Sequence, residues 1–411
     1  METKRLVKLL IGIAAAAIVL VLPREVFQIE GLTVMHQRTI ALFVLAMFFW
    51  ILEPIPIFAT SVLVVVLELL FMSDQSLRWF RPEADALSYR AVMANFADPV
   101  IMLFLGGFFI GAAATKYRLD LNLGRVLLRP FGTNPKWVML GMMIATALFS
   151  MFMSNTATTA MMLAVLMPVL RSIDPDDPAR ISFALSIPFA ANVGGIGTPI
   201  GTPPNAVAIK YLRPDLLDPA SESTAPLISF GQWMLFALPF VIVMLVVVWV
   251  LLLALFRPRS KKIEVDFNAR WLRSGRAWVV YVTASLTILL WLLGSKVHGM
   301  SSTVIAMIPV GVFTATGVID SNDLKQMGWD VLWLVAGGFA LGMAMQDTGL
   351  ARAMVDSIPF ATFPDRSDVP RSAARPLRYA DRYLTVRQGE VFYMTEALAR
   401  LEGLERGPAG N

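Results

Sequence analysis

The sequence predicts an all-α polytopic membrane protein, and three observations predict it. Hydrophobic residues fill 56% of the 411 positions and charged residues only 16%, against about 25% charged in an ordinary soluble domain. The mean hydropathy is +0.64. The apolar residues also run in stretches near the roughly 20 residues that a helix of 1.5 Å rise needs to cross a bilayer. A soluble fold would expose more apolar surface than its interior could absorb. The net charge of +5 sits mainly in the connections, so it does not describe a nucleic-acid surface. With no Cys in the chain, disulfides, thiolate chemistry and cysteine metal sites are excluded. Two histidines, His36 and His298, leave little for histidine catalysis or metal ligation.

The first span is 6–22, with Lys4 and Arg5 just before it and Lys8 in its first turn. A cleaved signal peptide is the other reading, but no A-x-A site follows the apolar run. Spans 40–52 and Ile57–Phe71 come next, parted by Glu53-Pro54-Ile55-Pro56. Span 100–114 carries Gly106, Gly107 and Gly111. The stretch 137–170 has no charge and is too long for one upright helix. It carries the polar knot Ser154-Asn155-Thr156 at its middle, which suggests a re-entrant hairpin. Span 181–193 runs into a glycine-proline loop, and spans 233–256, 278–293, 301–318 and 331–345 complete the set.

The positive-inside rule supports the hairpin. With the N-terminus in the cytoplasm and 137–170 entering and leaving on one side, most basic residues fall inside. Those are Lys116, Arg118, Arg125, Arg129, Lys136, Arg171, Arg180 and the dense run 257–276. A single tilted span at 137–170 would put that run outside. There is also an internal repeat. Gly106-Gly107-Phe108 with Gly111 recurs as Gly337-Gly338-Phe339 with Gly342, and Asp98 and Asp330 precede the two copies. In this topology the copies run in opposite directions, a mark of many secondary transporters. Ordinary small-residue helix packing is the other reading.

Two polar interruptions at membrane depth carry the chemistry. The first runs from Ser150 to Thr159. A hairpin tip leaves carbonyl and N–H groups without helical partners, and such backbone is tolerated in a membrane only against protein or a water-filled cavity. Carbonyls and hydroxyls there suit Na⁺; N–H groups opening the following half-helix suit a carboxylate. Asn155 or Thr156 is the expected N-cap of that half-helix. Hydrogen bonding of Ser and Thr between helices is the alternative. The second interruption is Gly194-Gly195-Ile196-Gly197-Thr198-Pro199-Ile200-Gly201-Thr202-Pro203-Pro204-Asn205. Its glycines permit close backbone approach, and its proline pair can open a new half-helix. It lacks the Lys-Ser/Thr of a P-loop and the spacing of a dinucleotide fingerprint.

These two motifs, with Ala157-Thr158-Thr159-Ala160-Met161-Met162-Leu163 after the first, resemble the divalent anion:sodium symporter family, carriers of dicarboxylates, citrate and sulfate. Trp329-Asp330-Val331-Leu332 and the second glycine pair resemble the start of that family's second repeat, so the likeness runs from residue 6 to about 352. The resemblance implies a homodimer of inverted repeats in which a transport domain moves past a scaffold in elevator fashion. It implies Na⁺ held by Ser150, the Ser154 backbone, Asn155 and the Gly201 carbonyl. It implies a substrate carboxylate faced by Asn155, Thr156 and the Thr202-Pro203 backbone. It implies Na⁺ as the coupling ion, and no other cofactor is expected.

The expected organisation is a first span and outer loop at 1–38, scaffold spans at 39–135, and half of a transport domain at 136–256. A basic cytoplasmic linker follows at 257–276, then the start of a second repeat at 277–352 and a polar, non-spanning tail at 353–411. No second Ser-Asn-Thr hairpin follows; the Ser321-Asn322 pair is followed by Asp323 in a loop. The second repeat is therefore expected to be incomplete, as after a frameshift or in a shortened variant. The expected function is sodium-coupled transport of small divalent anions, C4-dicarboxylates first, impaired by that missing end, in a bacterial inner membrane. The alternatives are a non-transporting pseudo-carrier or scaffold and an intramembrane hydrolase using Ser154. The hydrolase would need a base within hydrogen-bond reach, and no His, Lys or Asp lies in the hairpin.

Overall fold

The computed structural model describes residues 3–29, 31–82, 85–212, 228–260, 262–263 and 271–357. Helices α1 (Thr3–Val21), α2 (Val34–Leu52), α3 (Ile57–Phe71), α4 (Tyr89–Ala94) and α5 (Pro99–Lys116) come first. They are followed by α6 (Leu119–Leu128), α7 (Pro135–Ser150), α8 (Asn155–Arg171), α9 (Ala179–Gly195) and α10 (Pro203–Tyr211). Next come α11 (Phe230–Leu255), α12 (Gly275–Leu293), α13 (Ser295–His298) and α14 (Ser302–Ala315). Helices α15 (Ser321–Lys325), α16 (Trp329–Asp347) and α17 (Leu350–Asp356) close the described chain. By length and composition α2, α11, α12, α16 and the stretch Tyr89–Lys116 can each cross a membrane, and α3, α7 and α14 are shorter apolar helices. The protein is an all-helical polytopic membrane protein. Helix α11 carries Leu235 at 78% and Ile242 at 61% exposure, a face that only lipid or another apolar surface covers at low cost.

Several helices start a few residues before their apolar runs, because polar caps precede them. Asp98 caps α5 through Val100 N at 2.8 Å, with Pro99 at the first helical position. Asn134 caps α7, with Pro135 beside it. Ser229 and Gln232 form a capping box on α11, and Thr33 and His36 do the same on α2. A side-chain oxygen at such a position accepts an N–H that has no intrahelical partner.

The chain divides into two compact units, one of residues 1–96, 211–227 and 333–411, the other of 97–210 and 228–332. In the first, α1 packs along α2, α2 on α3 and α3 on α4. Its core gathers Met35, Leu42, Ala46, Val64, Met72, Leu87 and Val92 with Leu341 and Ala344. In the second, α9 packs on α7, α8 and α11, while α14 packs on α5 and α12. Met139, Met142, Met162, Leu166, Phe183 and Ile187 fill the core around α9. These contact units run across the segments read from the sequence, since α5 and the α7–α8 pair share one unit.

Three local expectations need correction. Residues Leu119–Leu128, read as loop, form α6, an amphipathic helix whose buried side includes Asp120, Asn122 and Leu128. Its mean apolarity is too low for a span search to find. Ser321-Asn322-Asp323, also read as loop, forms α15; Asp320 caps it by accepting from Asn322 N and Asp323 N. The span expected over 301–318 stops at Ala315 because Gly317, at φ 64°, turns the chain. The expected tail lies outside the described residues beyond Ser357.

Candidate functional site

Both polar interruptions fall in the second unit, and both break a helix. Helix α7 ends at Ser150 and α8 begins at Asn155, with Met151–Ser154 as the turn between. The expected break in 137–170 is therefore present. The cap is not the expected Asn155 or Thr156. It is Ser154, in extended backbone (φ −61°, ψ 143°), whose hydroxyl accepts from Ala157 N at 3.2 Å. Ser154 O accepts from Thr158 N at 2.9 Å. The short serine side chain reaches the third helical N–H, which leaves the Asn155 amide free to turn back toward α7 and α9.

That amide is the hub. One of its terminal atoms lies 2.7 Å from Ser150 Oγ and 3.3 Å from both Ala191 O and Gly201 O. Ser150 is fully buried, and its hydroxyl stands 2.7 Å from Ala191 O. A hydroxyl has one proton to give. Ser150 donates it to Ala191 O, so the Asn155 atom facing Ser150 is assigned as nitrogen, donating to the hydroxyl and directed at the two carbonyls. The other amide atom lies 3.2 Å from the Asn192 amide.

Helix α9 ends at Gly195 into a loop that reaches α10, and several carbonyls at the helix end and in the loop have partners. Gly194 O accepts from Gly197 N at 2.8 Å and Val193 O from Ile196 N at 3.2 Å. Ile196 O accepts from Trp233 Nε1 at 2.9 Å. The Asn205 amide nitrogen donates to Gly195 O at 2.9 Å and Thr198 O at 2.8 Å. The Thr198 hydroxyl donates to Met151 O, tying the loop to the hairpin turn. Glycine is required where these strands of backbone meet. A Cβ at 195 would stand 2.5 Å from the Asn155 amide, and one at 201 would strike Gly195 O. The result is a loop whose Gly201 carbonyl faces Asn155 while the carbonyls of Gly195, Ile196 and Thr198 are occupied elsewhere.

Ser150, Asn155 and Gly201 are thus brought together. Ser154 is committed to capping α8. Thr156, second residue of α8, is exposed; Thr202 and Pro203, at the start of α10, are half-buried. Among the described residues, no hydrogen bond joins Thr156 to Thr202. Because Pro203 and Pro204 have no N–H, α10 opens with few donors. The N–H groups of Asn155 and Thr156, without intrahelical partners, are the better anion donors here. Sequence reasoning did not assign Ala191, whose carbonyl has no sequence signature. It quoted Asn205 without a role, although an Asn directly after a helix-opening proline pair could have marked a loop clamp.

A cavity of about 460 Å³ adjoins the turn, lined by Met153, Ser154 and Ala157 with Phe108, Thr115, Lys116, Asp323 and Gln326. Lys116 at the end of α5 pairs with Asp320 at 3.0 Å and with Asp323. Lys116, with the backbone N–H groups of Asp323 and Asn322, holds the Asp320 carboxyl down to about 2. In the same unit, Lys210 at the end of α10 pairs with the α5 cap Asp98 at 2.9 Å. No cluster of three or more His, Cys, Asp or Glu that could hold a metal occurs among the described residues. An ion at the hub would be held by neutral oxygens.

A family profile described as citrate transporter matches residues 47–364. The inorganic phosphate transporter PHO87 of Saccharomyces cerevisiae is 29% identical over 331 residues, which is 79% of this chain and 34% of that protein. The sodium-dependent dicarboxylate transporter SdcS of Staphylococcus saprophyticus is 27% identical over 378 residues, 83% of this chain and 68% of its own. The sodium-dependent high-affinity dicarboxylate transporter 3 of Caenorhabditis elegans is 27% identical over 365 residues, 75% of this chain and 61% of its own. The chain spans about a third of the length of the phosphate transporter it matches.

Proposed function

The chain belongs to the citrate transporter family, and from that premise we propose that it is a sodium-coupled secondary transporter of small divalent anions, C4-dicarboxylates first. The observation that carries the reading is the Asn155 hub between two broken helices. Rotating that amide by half a turn sets Asn155 Oδ1 beside Ser150 Oγ, Ala191 O and Gly201 O. Four neutral oxygens would then converge, a set suited to a hard monovalent cation. The anion would meet the N–H groups opening α8, together with Thr156 and the Thr202–Pro203 segment. Occupying the oxygens with Na⁺ adds a positive charge next to those donors, so ion and anion bind more tightly together than apart. The relatives named for sodium and dicarboxylate are matched over the larger share of their own lengths, which favours this substrate class over phosphate. The same reading carries an inverted-repeat homodimer working in elevator fashion, in a bacterial inner membrane with the N-terminus cytoplasmic.

The test is Na⁺-dependent thermal stabilisation of the purified 411-residue chain, with K⁺ as control, followed by uptake of labelled succinate, citrate and phosphate into proteoliposomes. Asn155→Ala is expected to abolish the Na⁺ response while membrane insertion continues, since a lost ligand in a dry site costs several kcal/mol. A wild-type Na⁺ response in that variant would remove the ion site from the hairpin tip.

A further inference from the structure

We propose that the first compact unit holds a phospholipid with an anionic headgroup, its acyl chain in a cavity between α1, α2 and α3 and its phosphate at Arg38. The cavity measures about 430 Å³ and is lined by Ala16, Leu20, Leu45, Leu67 and Phe71, with Arg38 at its polar end. That volume is in the range of small-ligand sites, about 300–1,000 Å³. The lining is aliphatic and aromatic, which suits a hydrocarbon chain. The α1 wall is fixed by Gln37, whose amide donates to Val19 O and Leu22 O at 2.8 Å each. Phe71 and Phe80 close the other side in an edge-to-face pair with centroids 5.0 Å apart.

The charge of Arg38 identifies the ligand. It is half-buried on an apolar helix, and no carboxylate pairs with it among the described residues. One of its nitrogens, Nη1, donates to Phe71 O at 2.7 Å and Phe80 O at 2.6 Å. Those carbonyls orient the guanidinium without neutralising it. A cation at the edge of an apolar cavity in a bilayer calls for an anion, and the guanidinium fork matches phosphate oxygens. The loop after α3 gives a second, independent sign. Leu77 is 42%, Trp79 90% and Phe80 43% exposed, and Arg78 and Arg81 between and beside them are exposed as well. Adjacent aromatic rings flanked by arginines are the composition of a segment seated among headgroups.

The experiment is native mass spectrometry of the delipidated 411-residue chain, titrated with phosphatidylglycerol or phosphatidylcholine of the same acyl chains. One phosphatidylglycerol should be retained in preference to phosphatidylcholine. Arg38→Gln should lower phosphatidylglycerol retention by about five- to tenfold, the weight of one arginine at a lipid phosphate, and phosphatidylcholine retention less, because the choline cation already offsets that lipid's phosphate charge. Ala16→Phe, which fills the cavity, should lower retention of both lipids. Should Arg38→Gln not fold, the paired variant Arg78→Gln and Arg81→Gln, confined to the exposed loop, should still lower the phosphatidylglycerol preference several-fold. Unchanged retention in the folded variants would overturn the proposal. So would full displacement of the lipid by inorganic phosphate, which would mark a free-anion site. Cross-linking of Leu45→Cys between copies, insensitive to added lipid, would assign the face to a second chain instead.

Discussion

Helices α5 and α16 carry the same glycine pattern, yet they meet different surroundings. In α5 a Cβ at Gly106 would run into the Ala306 carbonyl, one at Gly107 would stand 2.8 Å from the tip of Ile200, and one at Gly111 would stand 3.0 Å from Met153 Cγ. Ile200 precedes Gly201, and Met153 precedes Ser154. The first glycine helix therefore seats both loops of the candidate site. In α16 Gly337 meets Ser61 at 2.5 Å from a built Cβ, while Gly338 meets nothing within 4 Å. The caps differ too. Asp98 precedes α5 and caps it, whereas Asp330 lies inside the first turn of α16. A repeated small-residue motif buys close approach, but the partner at each glycine decides whether that approach supports chemistry or only packing.

The largest expected effect tests that difference at its strongest point. Gly106→Val should destabilise the protein by about 3 kcal/mol or more, because the obstacle is backbone and cannot rotate away. Gly338→Ala should stay within about 0.5 kcal/mol. Thermal melting in detergent compares them, and similar losses would break the contrast.

Asn205→Ala comes next. It leaves Gly195 O and Thr198 O without their donor, at a cost of about 1–3 kcal/mol. Because those carbonyls hold the loop that α5 supports, the midpoint for Na⁺ stabilisation should rise along with the lower melting temperature. A fall in melting temperature with an unmoved Na⁺ midpoint would make Asn205 a packing residue only.

Acid should weaken the α5 unit in a way specific to it. Burial pushes the Asp177 carboxyl up, but bonds from the Ser260 hydroxyl and the Ala179, Arg259 and Ser260 amides outweigh this and hold it down to about 2. The folded carboxylate takes a proton less readily than the unfolded one. Its contribution, about 1–2 kcal/mol, is full above about pH 4 and is lost as the pH falls toward 2. Hydrogen exchange should show the α8–α9 connection opening over that window, and Asp177→Asn should remove the pH dependence. An unchanged profile in that variant would place the acid sensitivity elsewhere. Arg273→Cys, exposed in the basic connection 257–276, is a labelling probe of the cytoplasmic side proposed for it.

The finest test sets Gly107→Ala against Gly337→Ala. Ile200 can shift its end methyl, so Gly107→Ala should cost only about 1 kcal/mol, but the shift occurs beside Gly201 and should move the Na⁺ midpoint. Gly337→Ala should lower stability and leave that midpoint alone. Equal movement of the midpoint in both would erase the distinction between the two helices.

Much of this was legible in residue order. Apolar run length marks helices that must satisfy their own backbone in lipid, so α3 coincides with its predicted span and most of the others differ by a few residues at their ends. The interruption at Ser154-Asn155-Thr156 and the Gly-Thr-Pro-Pro loop were visible because polar groups and prolines are costly at membrane depth. Helix α6 was not visible, since an amphipathic helix of ten residues lacks the apolar length that defines a span. The cap at Ser154 rather than Asn155 was a local choice among three capable neighbours, and only the competing demands on Asn155 settle it.

Sequence alone determined that this chain crosses membranes, where its helices break, and which short motifs stand at the breaks. Those are properties of composition and period. Which carbonyls meet across the breaks was decided by tertiary structure. Ala191 O joins the Asn155 hub, Asn205 takes the carbonyls of Gly195 and Thr198, and Arg38 is left facing an apolar cavity. Every residue carries a carbonyl, so sequence cannot mark the ones that matter. They are selected by close approach of α7, α9 and the Gly195–Gly201 loop, where a single Cβ would hold the segments apart.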